Sequence, residues 1–218
     1  MGEGCALTME AAPVLAMIAL FGYLLGSLNF SIILSRLRGD DVRSHGSGNA
    51  GMTNMLRTYG KLPAAMTFIG DFLKGTLAVV LGRMVAGAAL AVYGGLFGAL
   101  GALLGHMFPL YFGFKGGKGV ATGLGLLAAL DPASFLIVAV IFIPIAPITG
   151  YVSLASVLGA GSFAFVLLGR RWLQGAVDPV EMAMAFLLGA IIVFNHRENI
   201  KRLLNGTERK FSRKKPGT

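Results

Sequence analysis

Residues Val85 to Phe112 read VAGAALAVYGGLFGALGALLGHMFPLYF. The stretch holds no Asp, Glu, Lys or Arg and exceeds the ~20 apolar residues that span hydrocarbon. It is continuous in Leu, Ala and Gly, without the period-2 alternation of a barrel strand. Inside lipid only a helix or a closed barrel satisfies its own backbone, so the run reads as a membrane-spanning helix. Working outward, runs of the same kind cover Pro13 to Leu34, Leu62 to Gly82, Val120 to Leu130, Ala133 to Ile148, Val152 to Leu168 and Val180 to Asn195. Val120 to Leu130 is short, since about a dozen helical residues rise only ~18 Å. It either begins within the glycine-rich segment before it or is a short helix held inside the bundle.

Composition agrees with this reading: 55% of residues are hydrophobic and 13% charged, and the mean hydropathy is +0.73. The fold expected is all-α, a polytopic membrane protein of about seven transmembrane helices. Residues 1–208 read as one integral membrane domain and residues 209–218 as a basic tail. The single cysteine, Cys5, excludes an internal disulfide and a Cys-based metal cluster. No basic segment precedes the first apolar run, which therefore reads as retained, not as a cleaved signal peptide.

Orientation follows from the loop cations. Arg36, Arg38, Arg43, Arg57 and Lys61 follow the first run, Lys115 and Lys118 precede the fourth, and Arg197, Lys201, Arg202, Arg209, Lys210, Arg213, Lys214 and Lys215 follow the last. The positive-inside rule puts all three groups in the cytoplasm, which an odd number of spans with the N-terminus outside and the C-terminus cytoplasmic allows. Arg170 and Arg171 are the discordant pair. On this topology Ser47, Lys118, Ser153, Ser156 and His196 can converge at one face.

The polar residues are concentrated in three strings, HGSGNAGMTNMLR (His45 to Arg57), FKGGKGVAT (Phe114 to Thr122) and HRENIKRLLNGTE (His196 to Glu208). In the first, Ser47, Asn49, Thr53 and Asn54 stand among glycines, and Arg57 adds a fork-shaped donor suited to phosphate oxygens. In the second, backbone N–H groups around Gly116, Gly117 and Gly119 can form an anion-binding nest ahead of a helix start. It is not a Walker A loop, because Gly119 stands where Ser or Thr would follow Lys118. His196 and Asn199 share one helix face at the membrane edge, where the imidazole serves as a base or as a hydrogen-bond donor to phosphate. Asp71 and Lys74 form a charged pair inside a span, which marks a functional site or simple mutual neutralisation.

HGSGNAGMTN, GHMFPLYFGFKGGKGVAT, YVSLAS and HRENIKRLLNGTE, in this order and spacing, resemble the bacterial acyl-phosphate:glycerol-3-phosphate acyltransferases over about Gly26 to Glu208. The resemblance implies transfer of a fatty acyl group from acyl phosphate to the 1-hydroxyl of glycerol 3-phosphate, giving lysophosphatidic acid, the first step of phospholipid synthesis. It implies no cofactor and no metal, and as partners acyl phosphate, glycerol 3-phosphate, membrane lipid and an enzyme that supplies acyl phosphate, with no nucleic acid. The expected place is the bacterial inner membrane, with the site facing the cytoplasm. Carried over, the catalytic set is Ser47, Lys118, His196 and Asn199. Arg57, Ser153 and Ser156 join Asn49, Thr53, Gly116, Gly117 and Gly119 as substrate-binding residues. One departure is plain: many members have proline after the first GS-hydrophobic dipeptide, where this chain reads Gly26-Ser27-Leu28-Asn29.

The residues are consistent with that reading on their own. The His-x4-Asp pair of acyl-CoA-dependent glycerol acyltransferases is absent, since Ala50, Tyr111 and Lys201 stand five residues after the three histidines. An acyl phosphate is already activated, so the protein needs chiefly to align two anions and offset their repulsion. Direct transfer is expected, with either His196 or a substrate phosphate oxygen taking the proton. A transporter of phosphorylated anions would use similar loops, but it should carry polar groups at the midplane and paired broken helices. A lipid-binding scaffold accounts for the basic tail, not for Ser47 to Asn54.

Overall fold

The first apolar run is not one rod. In the computed structural model, which describes residues 11–210, it forms α1 (Ala12–Gly26) and α2 (Phe30–Arg36). Asn29 makes the break, its side-chain oxygen accepting from the Ile32 amide at 3.3 Å and the Ser31 hydroxyl at 2.7 Å. A polar cap that satisfies the Ile32 amide at the start of α2 thus breaks the run without a proline.

The second and third runs form one helical stretch, α4 (Lys61–Met107), folded back on itself at Gly87, whose φ of 72° is left-handed. Across the fold Gly82 packs on the Gly94 carbonyl and Gly98 on the Ala78 carbonyl, leaving no room for a β-carbon at either. The arms, residues 61–86 and 88–107, are an antiparallel hairpin. The runs read from the sequence end at Gly82 and resume at Val85, which leaves Arg83 and Met84 between them. Arg83 instead lies within the helix and donates to the carbonyls of Ala129 at 2.8 Å and Leu130 at 2.7 Å. Those are unsatisfied last-turn acceptors of α5 (Val120–Leu130), so the cation serves as a C-terminal cap.

Small residues set the remaining contacts of this part. Gly26 of α1 meets Ala102 of the second arm, and Gly125 of α5 meets the Phe72 carbonyl of the first, backbone against backbone. In lipid there is no hydrophobic drive between helices, and such close approach supplies van der Waals contact in its place. A first compact unit closes at Asp131.

The second unit begins at Pro132. It holds α6 (Pro132–Phe142), α7 (Ile145–Thr149), α8 (Val152–Leu173), α9 (Pro179–Asn195) and α10 (Arg197–Leu204). Asp178 caps α9 by accepting from the Glu181 amide at 2.7 Å. Phe165 of α8 meets Phe186 of α9 edge to face at 5.0 Å. The cations that break the positive-inside pattern are met here. Arg171 holds the Glu181 carboxylate by two bonds of 2.9 and 2.6 Å, and Arg170 donates to Ser134 at 3.2 Å.

Among the described residues, four stretches are long and apolar enough to cross a membrane: Ala12–Arg36, Lys61–Phe112, Pro132–Thr149 and Val152–Leu173. The pair α9 and α10, bent by 59°, raises the number to five. Lys61–Phe112 counts once although it folds back at Gly87, and α5 is too short to count. Among the described residues the architecture is all-helical, each unit built of helices apolar enough for a membrane. Cys5 and the tail from residue 211 lie outside the described residues.

Candidate functional site

The first polar string is a loop built around one amide. Asn54, on the first turn of α3 (Met52–Tyr59) and 1% exposed, donates to the carbonyls of Val42 at 2.9 Å and His45 at 3.0 Å. Its oxygen accepts from the Ser47 amide at 3.1 Å. Gly46 and Gly48 flank Ser47 with φ of 57° and 69°. This is the left-handed region that glycine enters without a Cβ clash. The result is a tight turn that holds the Ser47 side chain outward and exposed. Asn49 and Thr53 are half-buried, and Arg57 is exposed on the last turn of α3.

Arg43 joins this loop to the glycine-rich one. Its guanidinium grips both Asp41 oxygens at 2.9 and 2.7 Å and donates to the carbonyls of Phe112 at 2.8 Å and Lys115 at 3.0 Å. The Arg43 hydrogen bonds hold the Asp41 carboxyl down at about 2. Alongside, Asp40 accepts from the Tyr59 hydroxyl at 2.6 Å and sits 2.7 Å from Nε2 of His45. The Tyr59 bond holds the Asp40 carboxyl below its ordinary range, while burial and the Asp40 bond push the Tyr59 phenol up to about 12.

The glycine-rich loop returns along the end of α4. The Gly116 amide donates to the Met107 carbonyl at 3.1 Å and the Gly117 amide to the His106 carbonyl at 3.2 Å. Gly117 lies so close to the Ala50 carbonyl and to Nε2 of His106 that a β-carbon there would strike both. The two strings therefore meet at Gly117 and Ala50. The anion nest expected at Gly116, Gly117 and Gly119 is narrowed by this geometry, because the first two amides already serve backbone carbonyls. The half-buried Lys118 follows, and Gly119 (φ 83°) opens α5.

In the second unit a carboxylate gathers the third string. Glu208 Oε1 accepts from Ser153 Oγ and from Asn199 Nδ2, both at 2.7 Å, and Oε2 accepts from Arg202 Nε at 2.7 Å. Burial pushes the Glu208 carboxyl up, and the bonds from Asn199, Ser153 and Arg202 outweigh it, leaving the group below its ordinary value. A carboxylate only accepts, so the Ser153 proton is committed to Glu208. The Ser156 proton goes to the Val152 carbonyl of its own helix at 2.8 Å. Toward a further ligand both hydroxyls, as arranged, are acceptors. His196, 2% exposed, gives its Nδ1 proton to the Ile192 carbonyl at 2.8 Å, which leaves the lone pair of the neutral ring on Nε2.

A family profile described as glycerol-3-phosphate acyltransferase matches residues 16–206, across both units. The chain belongs to that family. A glycerol-3-phosphate acyltransferase of Clostridioides difficile (strain 630) is 44% identical over 201 residues, covering 91% of this chain and 96% of the relative. One from Aquifex aeolicus (strain VF5) is 41% identical over 196 residues, covering 89% and 97%. The crystal structure of PlsY, an integral membrane glycerol 3-phosphate acyltransferase, in its glycerol 3-phosphate form superposes with a TM-score of 0.80. It is 38% identical and covers 91% of this chain and 96% of that one. The lysophosphatidic acid form of PlsY gives 0.78, again at 38% identity, over 91% and 95%.

In the two units of this acyltransferase three residues stand out that the sequence reading had not named as candidates. Arg43 was counted only as a loop cation, although the acidic pair Asp40 and Asp41, separated from it by Val42, was the available signal. Glu208 closes its string as one of two acids, with Glu198, among three cations. His106 lay inside a quoted string, but nothing in the spacing showed that it would face Gly117.

Proposed function

We propose that this acyltransferase moves a fatty acyl group from an acyl phosphate to the 1-hydroxyl of glycerol 3-phosphate. The glycerol oxygen bonds to the acyl carbon, the bond from that carbon to the phosphate oxygen breaks, and inorganic phosphate leaves. Lysophosphatidic acid is the product. The observation that carries the reading is the junction at Gly117 and Ala50, which joins a turn bearing the exposed Ser47 hydroxyl to a glycine-rich helix start bearing Lys118 in one surface. Phosphate is the ligand such a surface suits.

In this reading Ser47, Lys118 and Arg57 hold phosphate. Asn49, Thr53 and Gly119 shape and line the turn around it. Ser153 and Ser156, whose protons are committed, offer acceptors to hydroxyl groups instead. His196 Nε2 takes the proton of the attacking hydroxyl, with Asn199 orienting glycerol 3-phosphate. The leaving group is already good, so alignment and charge compensation supply most of the rate. No cofactor or metal takes part. The chain sits in the bacterial inner membrane with seven spans, the short α5 taken as one of them, the N-terminus outside and the loops facing the cytoplasm, where an enzyme making acyl phosphate can deliver its product.

The test is turnover by purified protein. Palmitoyl phosphate should release phosphate only when glycerol 3-phosphate is present, and palmitoyl-CoA should give no lysophosphatidic acid. Equal rates from the thioester would sink the assigned donor.

A further inference from the structure

Three titratable side chains are buried together in the first unit and have no part in the reaction proposed above. Asp71 and Lys74 lie a turn apart on the first arm of α4 and His106 lies on the second, with exposures of 1%, 2% and 3%. The Lys74 ammonium has three protons and meets three acceptors. These are Asp71 Oδ1 at 2.8 Å, the Leu28 carbonyl at 2.9 Å and His106 Nδ1 at 3.0 Å. An ammonium cannot accept, so Nδ1 of His106 is the acceptor in that pair, and a neutral ring then carries its proton on Nε2. Asp71 Oδ1 is 3.6 Å from Nδ1, too far for a hydrogen bond to compete for that nitrogen. The same Asp71 oxygen is 3.4 Å from the Phe30 amide, so the network is also tied to the bend between α1 and α2.

The outer nitrogen points at the seam between the loops. Nε2 is one of the two atoms that a β-carbon on Gly117 would strike, the other being the Ala50 carbonyl. The Gly117 amide is bonded to the carbonyl of His106 itself, at 3.2 Å, so ring and loop are held in register through one residue. Simple neutralisation of Asp71 by Lys74 would not need a histidine on the other arm with its second nitrogen against the glycine loop.

We propose that His106 is a ligand of the phosphate site, donating from Nε2–H to a phosphate oxygen at the seam of the two loops, and that Asp71 and Lys74 are positioning residues that keep the ring proton on that nitrogen. The inference rests on the reading of these loops as phosphate-binding. A neutral donor adds a hydrogen bond to a site whose cations are Lys118 and Arg57, without another charge that the leaving phosphate would have to escape.

Two amides separate the ring nitrogens. The Gln side chain places its amide where Nε2 lies, and Asn places it where Nδ1 lies. Inhibition of turnover by inorganic phosphate, with KM for glycerol 3-phosphate, is measured for His106→Gln and His106→Asn in detergent, each checked for wild-type elution and melting. His106→Gln should keep phosphate inhibition within about threefold. His106→Asn should weaken it about 10- to 100-fold, the range for one hydrogen bond to a charged group. The reverse order, or equal small effects, overturns the proposal. If neither variant folds, nitrogen-15 spectra of histidine-labelled wild-type protein decide. An Nε2–H tautomer at His106 whose signal moves on adding inorganic phosphate supports the contact, and an Nδ1–H tautomer or an unmoved signal refutes it. Wild-type protein without glycerol 3-phosphate turnover would sink the functional reading, and the phosphate contact with it, whatever the tautomer.

Discussion

Asn54 is the residue on which the placement of Ser47 most depends, and its truncation tests the site at its foundation. Asn54→Ala removes the bonds to Val42, His45 and Ser47, of 2.9, 3.0 and 3.1 Å. Each is worth about 0.5–1.5 kcal/mol net. His45 and Ser47 are exposed, so water recovers part of the loss when the turn opens, and the ordered turn is disfavoured by about 2–3 kcal/mol. At about 1.4 kcal/mol per factor of ten, kcat/KM should fall ~30- to 150-fold. The start of α3 should survive, because the Asn54 backbone amide still donates to the Gly51 carbonyl at 3.0 Å. The assay is turnover of palmitoyl phosphate and glycerol 3-phosphate by protein whose melting is checked in parallel. If Asn54 acts through Ser47, Ser47→Ala in the same chain should cost much less than it does alone, since residues in one network are not additive. A kcat/KM within about threefold of wild type, or full additivity of the pair, would refute the reasoning.

Ser47→Ala by itself should slow turnover ~10²- to 10³-fold, the typical worth of one positioned donor, with no acylated protein accumulating on acyl phosphate alone. An acyl ester trapped on Ser47 by mass spectrometry would make this a two-step enzyme. Glu208→Gln should mimic acid. Its folded carboxyl lies below the ordinary 4.5, so wild type keeps this stabilisation at neutral pH and loses it as pH falls through 4.5 and then through the lower folded value. The variant should start less stable and show a shallower loss of melting temperature across that window; parallel curves would exclude Glu208 as its source. With Cys5→Ser as background, Ser44→Cys should resist an impermeant thiol reagent in intact cells and Gln174→Cys should react. Labelling at Ser44→Cys would reverse the proposed orientation.

Local and one-dimensional properties were legible in the sequence. Apolar run length in a charge-poor chain requires lipid-embedded helices, whatever the neighbours do, because an unbonded backbone cannot remain in hydrocarbon. Glycines around Ser47 and ahead of Lys118 announce turns. The four strings in order sufficed for the family that the comparisons identify. Positions governed by contacts between distant segments were not legible. Arg83 reads as a loop residue until the end of α5 is seen to need its two donors. Asn29 reads as mid-span until its side chain is seen capping α2. The Ser153 and Ser156 hydroxyls read as phosphate donors until Glu208 and Val152 are seen to take their protons. Asp71 and Lys74 show only a helix spacing, whereas the third acceptor of that ammonium comes from His106 on the other arm. By itself the sequence determined the solvent, the helices and the stock of donors and cations, since these depend on residue type and near neighbours. Only the tertiary structure decided which proton each polar group gives and toward what it points, because a hydrogen bond is directional and short, and its partner is chosen by the fold.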